Sequence, residues 1–277
     1  MISSFPDSLK LKDSITGVIG QAESHHNFLI NVPYTEAIGL GVVSGHSMFR
    51  GLGRREALST AAAGDDIWEG TATSISYPDQ SVGQQMAVRS SSVNDTAAGT
   101  GVRKIHVHYI DAAGDQQEEE VTMNGTTLVN TVATDIRFIQ YIHTSEHASF
   151  GGAADGNITI ENTAGTIVYN QITIGGNMSL STARMIPAGY SFYLQYINAN
   201  AASNKTVSIR YRATCDDLAV LTPGIFLFNE LFELQDATST LILPTPRKFP
   251  PLTIIKASAY SDTAGGSASL SYGGFIE

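Results

Sequence analysis

At 277 residues and a formal net charge of −10, the chain is long enough to bury a sizeable core, as one large domain or two medium ones. Only 15% of its residues are charged while 42% are hydrophobic, which excludes a disordered chain. The acidic balance argues against direct nucleic-acid binding, which needs clustered Lys and Arg to displace counterions from phosphates; the densest basic patch, Arg50-Gly-Leu-Gly-Arg54-Arg55, is followed by acidic residues from Glu56 to Glu69.

A single cysteine, Cys215, excludes an internal disulfide and a cysteine zinc cluster. The opening MISSFPDSLKLKDSIT lacks the basic-then-apolar layout of a secretory signal. The longest apolar candidate, Leu218–Phe232, is broken at Pro223-Gly224, short of the ~20 residues needed to span a bilayer. These features predict synthesis in a reducing cytoplasm and no membrane partner.

Residues 1–65 mix short apolar pieces with Gly, Pro and His, and sustain no helical period. Only Arg54–Ala63 reads as a short helix, stopped by Gly64. This zone is predicted to be an N-terminal arm or small docking subdomain. From residue 66 onward the period becomes two, the mark of half-buried strands. In Arg103–Ile110, Ile105, Val107 and Tyr109 face one way and Lys104, His106 and His108 the other. Asp111-Ala-Ala-Gly114-Asp supplies a turn, Glu119–Met123 returns, and Asn124-Gly125 turns again. Arg137–Ile142 is a further strand.

The second half repeats these signals. Asn157–Ile160 and Ile167–Ile174 read as a hairpin around Ala164-Gly165. Tyr190–Ile197 offers Tyr190, Phe192, Leu194 and Tyr196 to one apolar face, and Val207, Ile209 and Tyr211 alternate with polar residues. Leu252–Tyr260 and Ala268–Ile276 close the chain. About a dozen short strands without a long helix predict an all-β protein: a β-sandwich or jelly-roll body over 66–277, as one or two sandwiches, with a division near 150 as the alternative to a single unit.

Several stretches carry the raw materials of chemistry without its spacing. Ser90-Ser91-Ser92 with Asp95 lacks the Gly-x-Ser-x-Gly elbow, and consecutive serines on a strand face opposite ways. His106 and His108 share a strand face at a spacing two metal ligands can use, yet exposed histidines on a polar face are the commoner case. His143-Thr-Ser-Glu146-His147 lacks the Glu-after-His order of a helical zinc motif. Gly99-Thr-Gly101-Val-Arg103 lacks the Lys-Ser/Thr ending of a phosphate loop, and the acids from Asp111 to Glu120 miss the alternate positions of a calcium loop. No catalytic, cofactor-binding or metal-ligating residue is assigned. Trp68, the only tryptophan, is either an interface anchor or the edge of its own core. The tyrosines of the second half could form a sugar platform, but alternation turns most of them inward.

The order Gly53-Arg54-Arg55, Asp66-Ile-Trp68-Glu-Gly70, Ser90-Ser-Ser92, Asp95-Thr-Ala-Ala-Gly-Thr-Gly-Val-Arg103, Val121-Thr-Met-Asn-Gly-Thr126, Ile186-Pro-Ala-Gly189 and Tyr272-Gly-Gly-Phe-Ile resembles β-rich virion structural proteins of tailed bacteriophages, especially those of marine bacteria and cyanobacteria. The resemblance covers about residues 45–277, and its motifs are turns and strand edges. It implies a non-enzymatic virion component, at the capsid surface or head–tail region. Its most specific form is a decoration or cement protein, a homotrimer binding between major capsid subunits. Neck, tail or vertex proteins are the alternative within the virion, and a carbohydrate-binding adhesin the alternative outside it. The interface candidates are Phe28, Leu29, Phe49, Leu52 and Trp68.

Overall fold

The computed structural model describes residues 9–12, 19–22, 30–32, 34–202, 204–216, 219–220 and 224–277. Strands β1 (Leu9–Lys12), β2 (Ile19–Ala22) and β3 (Ile30–Val32) form a small antiparallel sheet, and α1 (Tyr34–Gly39) follows. Three legs of the chain account for the rest. The chain first runs through β4 (Ser47–Leu58) and β5 (Asp65–Asp66). It then makes β6 (Met86–Ser90), β7 (Val102–Ile110), β8 (Gln116–Thr122), β9 (Val129–Asn130), β10 (Phe138–His147), β11 (Ile158–Asn162) and β12 (Val168–Ile172). It returns through β13 (Arg184–Met185), β14 (Phe192–Ala201), β15 (Val207–Ala213), β16 (Cys215–Asp216), β17 (Ala219–Val220), β18 (Leu227–Leu234), β19 (Ala237–Phe249), β20 (Ile254–Ser261) and β21 (Gly266–Ile276). The protein is all-β, and no helix among the described residues is long and apolar enough to cross a membrane.

The strands sort into two sandwiches. In the first, a sheet ordered β19-β14-β21-β4 faces a sheet ordered β13-β20-β15-β18, with β5 also paired to β20. Phe49, Phe192, Ile197, Ile209, Tyr211 and Tyr272 fill the space between them. In the second, β10-β7-β8 faces β12-β11-β6-β9 over a core that includes Met86, Ile105, Val107, Ile139 and Ile158. The second sandwich is thus an insertion between β5 and β13 of the first. Residue 150 is not a boundary, since β10 and β11 on either side of it feed one core.

Period two decides most of this. Ile105, Val107 and Tyr109 are buried as the alternation requires, and so are Val207, Ile209 and Tyr211. In β14 the phase slips. Phe192 and Leu194 point inward, but a register shift between Leu194 and Tyr196 hands the inward role to Ile197, Ala199 and Ala201. Tyr196 therefore faces outward, 36% exposed, because a β-bulge reverses the side chains beyond it, whereas Tyr190, 41% exposed, lies ahead of β14 just after the turn at 188–189.

The expected helix at Arg54–Ala63 and the expected arm boundary at residue 65 are corrected by β4. This strand pairs with β21 from Ser47 to Leu58 and belongs to the first sandwich. Its inward positions are Phe49, Gly51, Gly53, Arg55 and Leu58, so the apolar half of the alternation is interrupted in the middle of the strand. Both glycines are steric requirements: a Cβ on Gly51 would lie 2.4 Å from the Tyr272 ring, and one on Gly53 2.4 Å from the Ile67 carbonyl oxygen.

Between the sandwiches, Trp68, Ile75, Ile110, Phe138, Met185 and Ile254 form a separate core. The Trp68 indole donates to the Ala72 carbonyl at 3.0 Å, and Gly70 lies flat against its ring. Beside it, Asp66 and Lys256 make a buried ion pair at 2.8 and 2.9 Å.

Candidate functional site

Of the five residues expected to form an interface, the three that are described do not converge on one exposed surface. Phe28 and Leu29 lie outside the described residues. Phe49 is buried with its ring 4.9 Å from Phe192, and Trp68 is 1% exposed in the junction core. Phe49 is thus a core residue rather than a surface anchor, and Trp68 takes the core alternative of its two readings, because β4 and the segment after β5 lie within the body. Among the three described candidates only Leu52 is exposed, at 41%.

The Ser90–Arg103 stretch is scaffold in geometry. Asp95 is fully buried and accepts from Ser90 Oγ at 2.6 Å and from the backbone amides of Val102, Gly156 and Asp155 at 2.8, 3.0 and 3.2 Å. Gly101 curls around this carboxylate so closely that a Cβ would stand 2.2 Å from Asp95 Oδ1. Of the glycines that suggest a phosphate loop, Gly101 thus packs on an internal carboxylate and Gly99 on the Asn94 carbonyl. Among the described residues no histidine hydrogen-bonds Ser90, so the partner of a serine nucleophile is missing there.

The outward face of β10-β7-β8 is different. Cross-strand register sets His143, His106 and Glu120 in one row, and Tyr141, His108 and Glu118 in the next. One ring nitrogen from each of His106, His108 and His143 lies within 4.8 Å of the others. His143 Nε2 and His108 Nε2 are 3.1 Å apart, and the His108 ring stacks on Tyr141 at 4.2 Å. Glu120 Oε2 stands 3.4 Å from His106 Nε2, and Glu118 Oε2 3.6 Å from His108 Nδ1. Burial pulls the His108 pKa down to about 4, aided by neighbouring His143, His106 and Arg184 and opposed by Glu118. The sequence pairs His106 with His108 and offers His143 only beside Glu146 and His147; its place opposite His106 depends on strand register.

Next to this face a cleft of about 570 Å³ opens between the sandwiches, lined by Arg50, Leu52, Gln116, Gln140, Tyr141 and Arg184 among others. Arg184 is buried, and one terminal nitrogen, Nη1, donates to the carbonyls of Gln140, Ala183 and Ser181 at 2.6, 2.7 and 3.0 Å. Its guanidinium sits 5.4 Å from the Tyr141 ring centre, which links the cleft to the histidine face. Burial lowers the Arg184 pKa from its ordinary value.

The depressed His108 pKa predicts acid sensitivity. The unfolded chain takes up a proton near pH 6.5, while the folded protein resists until about pH 4. Stability present above pH 6.5 is therefore lost as the pH falls through that window, by about 2 kcal/mol at pH 4.5. Urea unfolding in chelator-treated buffer at pH 7.5 and 4.5 checks this. His108→Asn should lose less stability than wild type by that margin, and equal losses would refute the assignment.

Comparison with known proteins finds no matching protein family, no matching curated protein and no matching solved structure.

Proposed function

We propose that this chain is a non-enzymatic structural protein of a tailed-phage particle, in its most specific form a trimeric decoration protein that binds between major capsid subunits. The sequence resemblance over residues 45–277 supports this reading. The structural observation that carries it is an open side of the first sandwich. β18 and β19 are the terminal strands of its two sheets and follow one another through residues 235–236. Among the described residues neither has a partner on its outer edge.

A thirteen-residue edge is a pairing hazard that natural proteins cover or interrupt. In β19 the interruption, Pro244 and Pro246, sits only in the second half. The first half, with Leu231 of β18 alongside, leaves large apolar side chains in water: Ile242 is 71% exposed and Leu231 59%. Pairing of this side with a second copy or a shell subunit buries both the backbone groups and the apolar surface. The weakly charged surface suits assembly by shape and apolar contact at high salt, where electrostatic reach falls to a few ångströms.

Sedimentation of the purified protein and its rebinding to stripped particles test the reading. Ile242→Lys should weaken assembly at least tenfold while changing stability by no more than about 0.5 kcal/mol, since the site is exposed. A wild-type protein that stays monomeric and never joins particles would overturn the proposal. Recovery at a few copies per particle would move it to the neck or tail, and reproducible glycan binding to an adhesin.

A further inference from the structure

We propose that His106, His108 and His143 form a binding site for a divalent transition-metal ion of the zinc class, three imidazoles on one sheet face with the fourth position open to solvent. The inference is independent of the virion reading.

Its basis is the arrangement of lone pairs. His143 Nδ1 lies 3.1 Å from the Thr144 carbonyl oxygen, which can only accept, so the His143 proton sits on Nδ1. His108 Nδ1 faces the Glu118 carboxylate at 3.6 Å, which favours a proton there too. Both Nε2 atoms then carry lone pairs, and they point at each other across 3.1 Å. Two neutral imidazoles in these tautomers repel; a cation between them removes the conflict. Moving the His108 proton to Nε2 makes a hydrogen bond to His143 but turns the Nδ1 lone pair toward Glu118.

The distances fit the ion. With metal–nitrogen bonds of about 2.0–2.1 Å, a 3.1 Å separation subtends roughly 100° at the metal, close to tetrahedral. His106 is the direct cross-strand partner of His143 and lies two residues from His108 on the same face, so strand pleat and register bring in the third ring. Its Nε2 is turned toward Glu120, which leaves Nδ1 for the ion. Glu120 is itself held by Lys104 at 2.9 Å and Ser145 at 3.2 Å, in the manner of the carboxylates that orient ligating histidines. Uncharged nitrogen donors select zinc, cobalt, nickel or copper ions over magnesium and calcium.

The test uses the full chain, free of any histidine tag and stripped with chelator. Calorimetric titration should show one zinc ion bound per chain, and the cobalt-loaded protein should show the visible absorption of a tetrahedral or five-coordinate site. Zinc should raise the melting temperature, while magnesium and calcium should not. His143→Ala should weaken zinc binding at least tenfold, and His147→Ala, outside the cluster, should leave it unchanged. Should His143→Ala fail to fold, His106→Gln carries the same test, because that ring is 30% exposed. Absence of stoichiometric uptake, or uptake kept by His106→Gln and His143→Ala alike, overturns the site.

Discussion

Replacing Asp66 with alanine is expected to destabilise the fold by about 3–5 kcal/mol, because it strands a buried ammonium group. Asp66 on β5 is 2% exposed and meets Lys256 on β20 at 2.8 and 2.9 Å. The same carboxylate accepts the Ile75 amide at 2.8 Å, at the point where the chain leaves for the second sandwich. Lys256 Nζ otherwise faces the Phe226 ring, 4.5 Å away, which cannot replace an anion. Lys256→Ala should cost a similar amount for the mirror reason. The double variant Asp66→Leu/Lys256→Met should cost clearly less than the two single losses together, since it removes both desolvated charges and keeps the volume. Urea unfolding of the four proteins measures this. Additive losses, or single losses under about 1 kcal/mol, would show that the pair does not hold the junction.

Removing the Asp95 carboxylate is the second large effect. Asp95→Ala is expected to cost about 3–4 kcal/mol, because four donors lose a buried acceptor and three of them are backbone amides that cannot turn away. Asp95→Asn should fall between, as its amide group keeps one acceptor and presents two donors to donors. Ser90→Ala, which removes only one of the four bonds, should cost about 1 kcal/mol. Hydrogen exchange separates local from global loss: the Val102 and Gly156 amides should lose protection in Asp95→Ala beyond the fall in overall stability. Unchanged protection at those amides would mean that the loop is held by other contacts.

Much of the strand content is legible in local pattern. The outward row of β7 and the turn at Asp111–Asp115 follow from alternation and turn chemistry alone, and Asp111 Oδ1 accepts the Asp115 amide at 2.9 Å in that turn. The failures share a cause. β4 hides behind Gly51 and Gly53, whose inward positions are dictated by Tyr272 and Ile67, far away in sequence or on another segment. β19 hides behind two prolines that an edge strand tolerates and an interior strand does not.

The histidine face shows the division most clearly. Local sequence determined that His106 and His108 share one side of a strand, because side chains alternate with period two wherever the strand lies. It also determined an all-β chain, a weakly charged surface and turns built on Gly and Asn. Only the tertiary structure decided that His143 stands opposite His106, that Trp68 is enclosed, and that residues 86–172 form an inserted sandwich. Those depend on strand register and on which sheets meet, which are set by contacts between distant segments that no local period encodes.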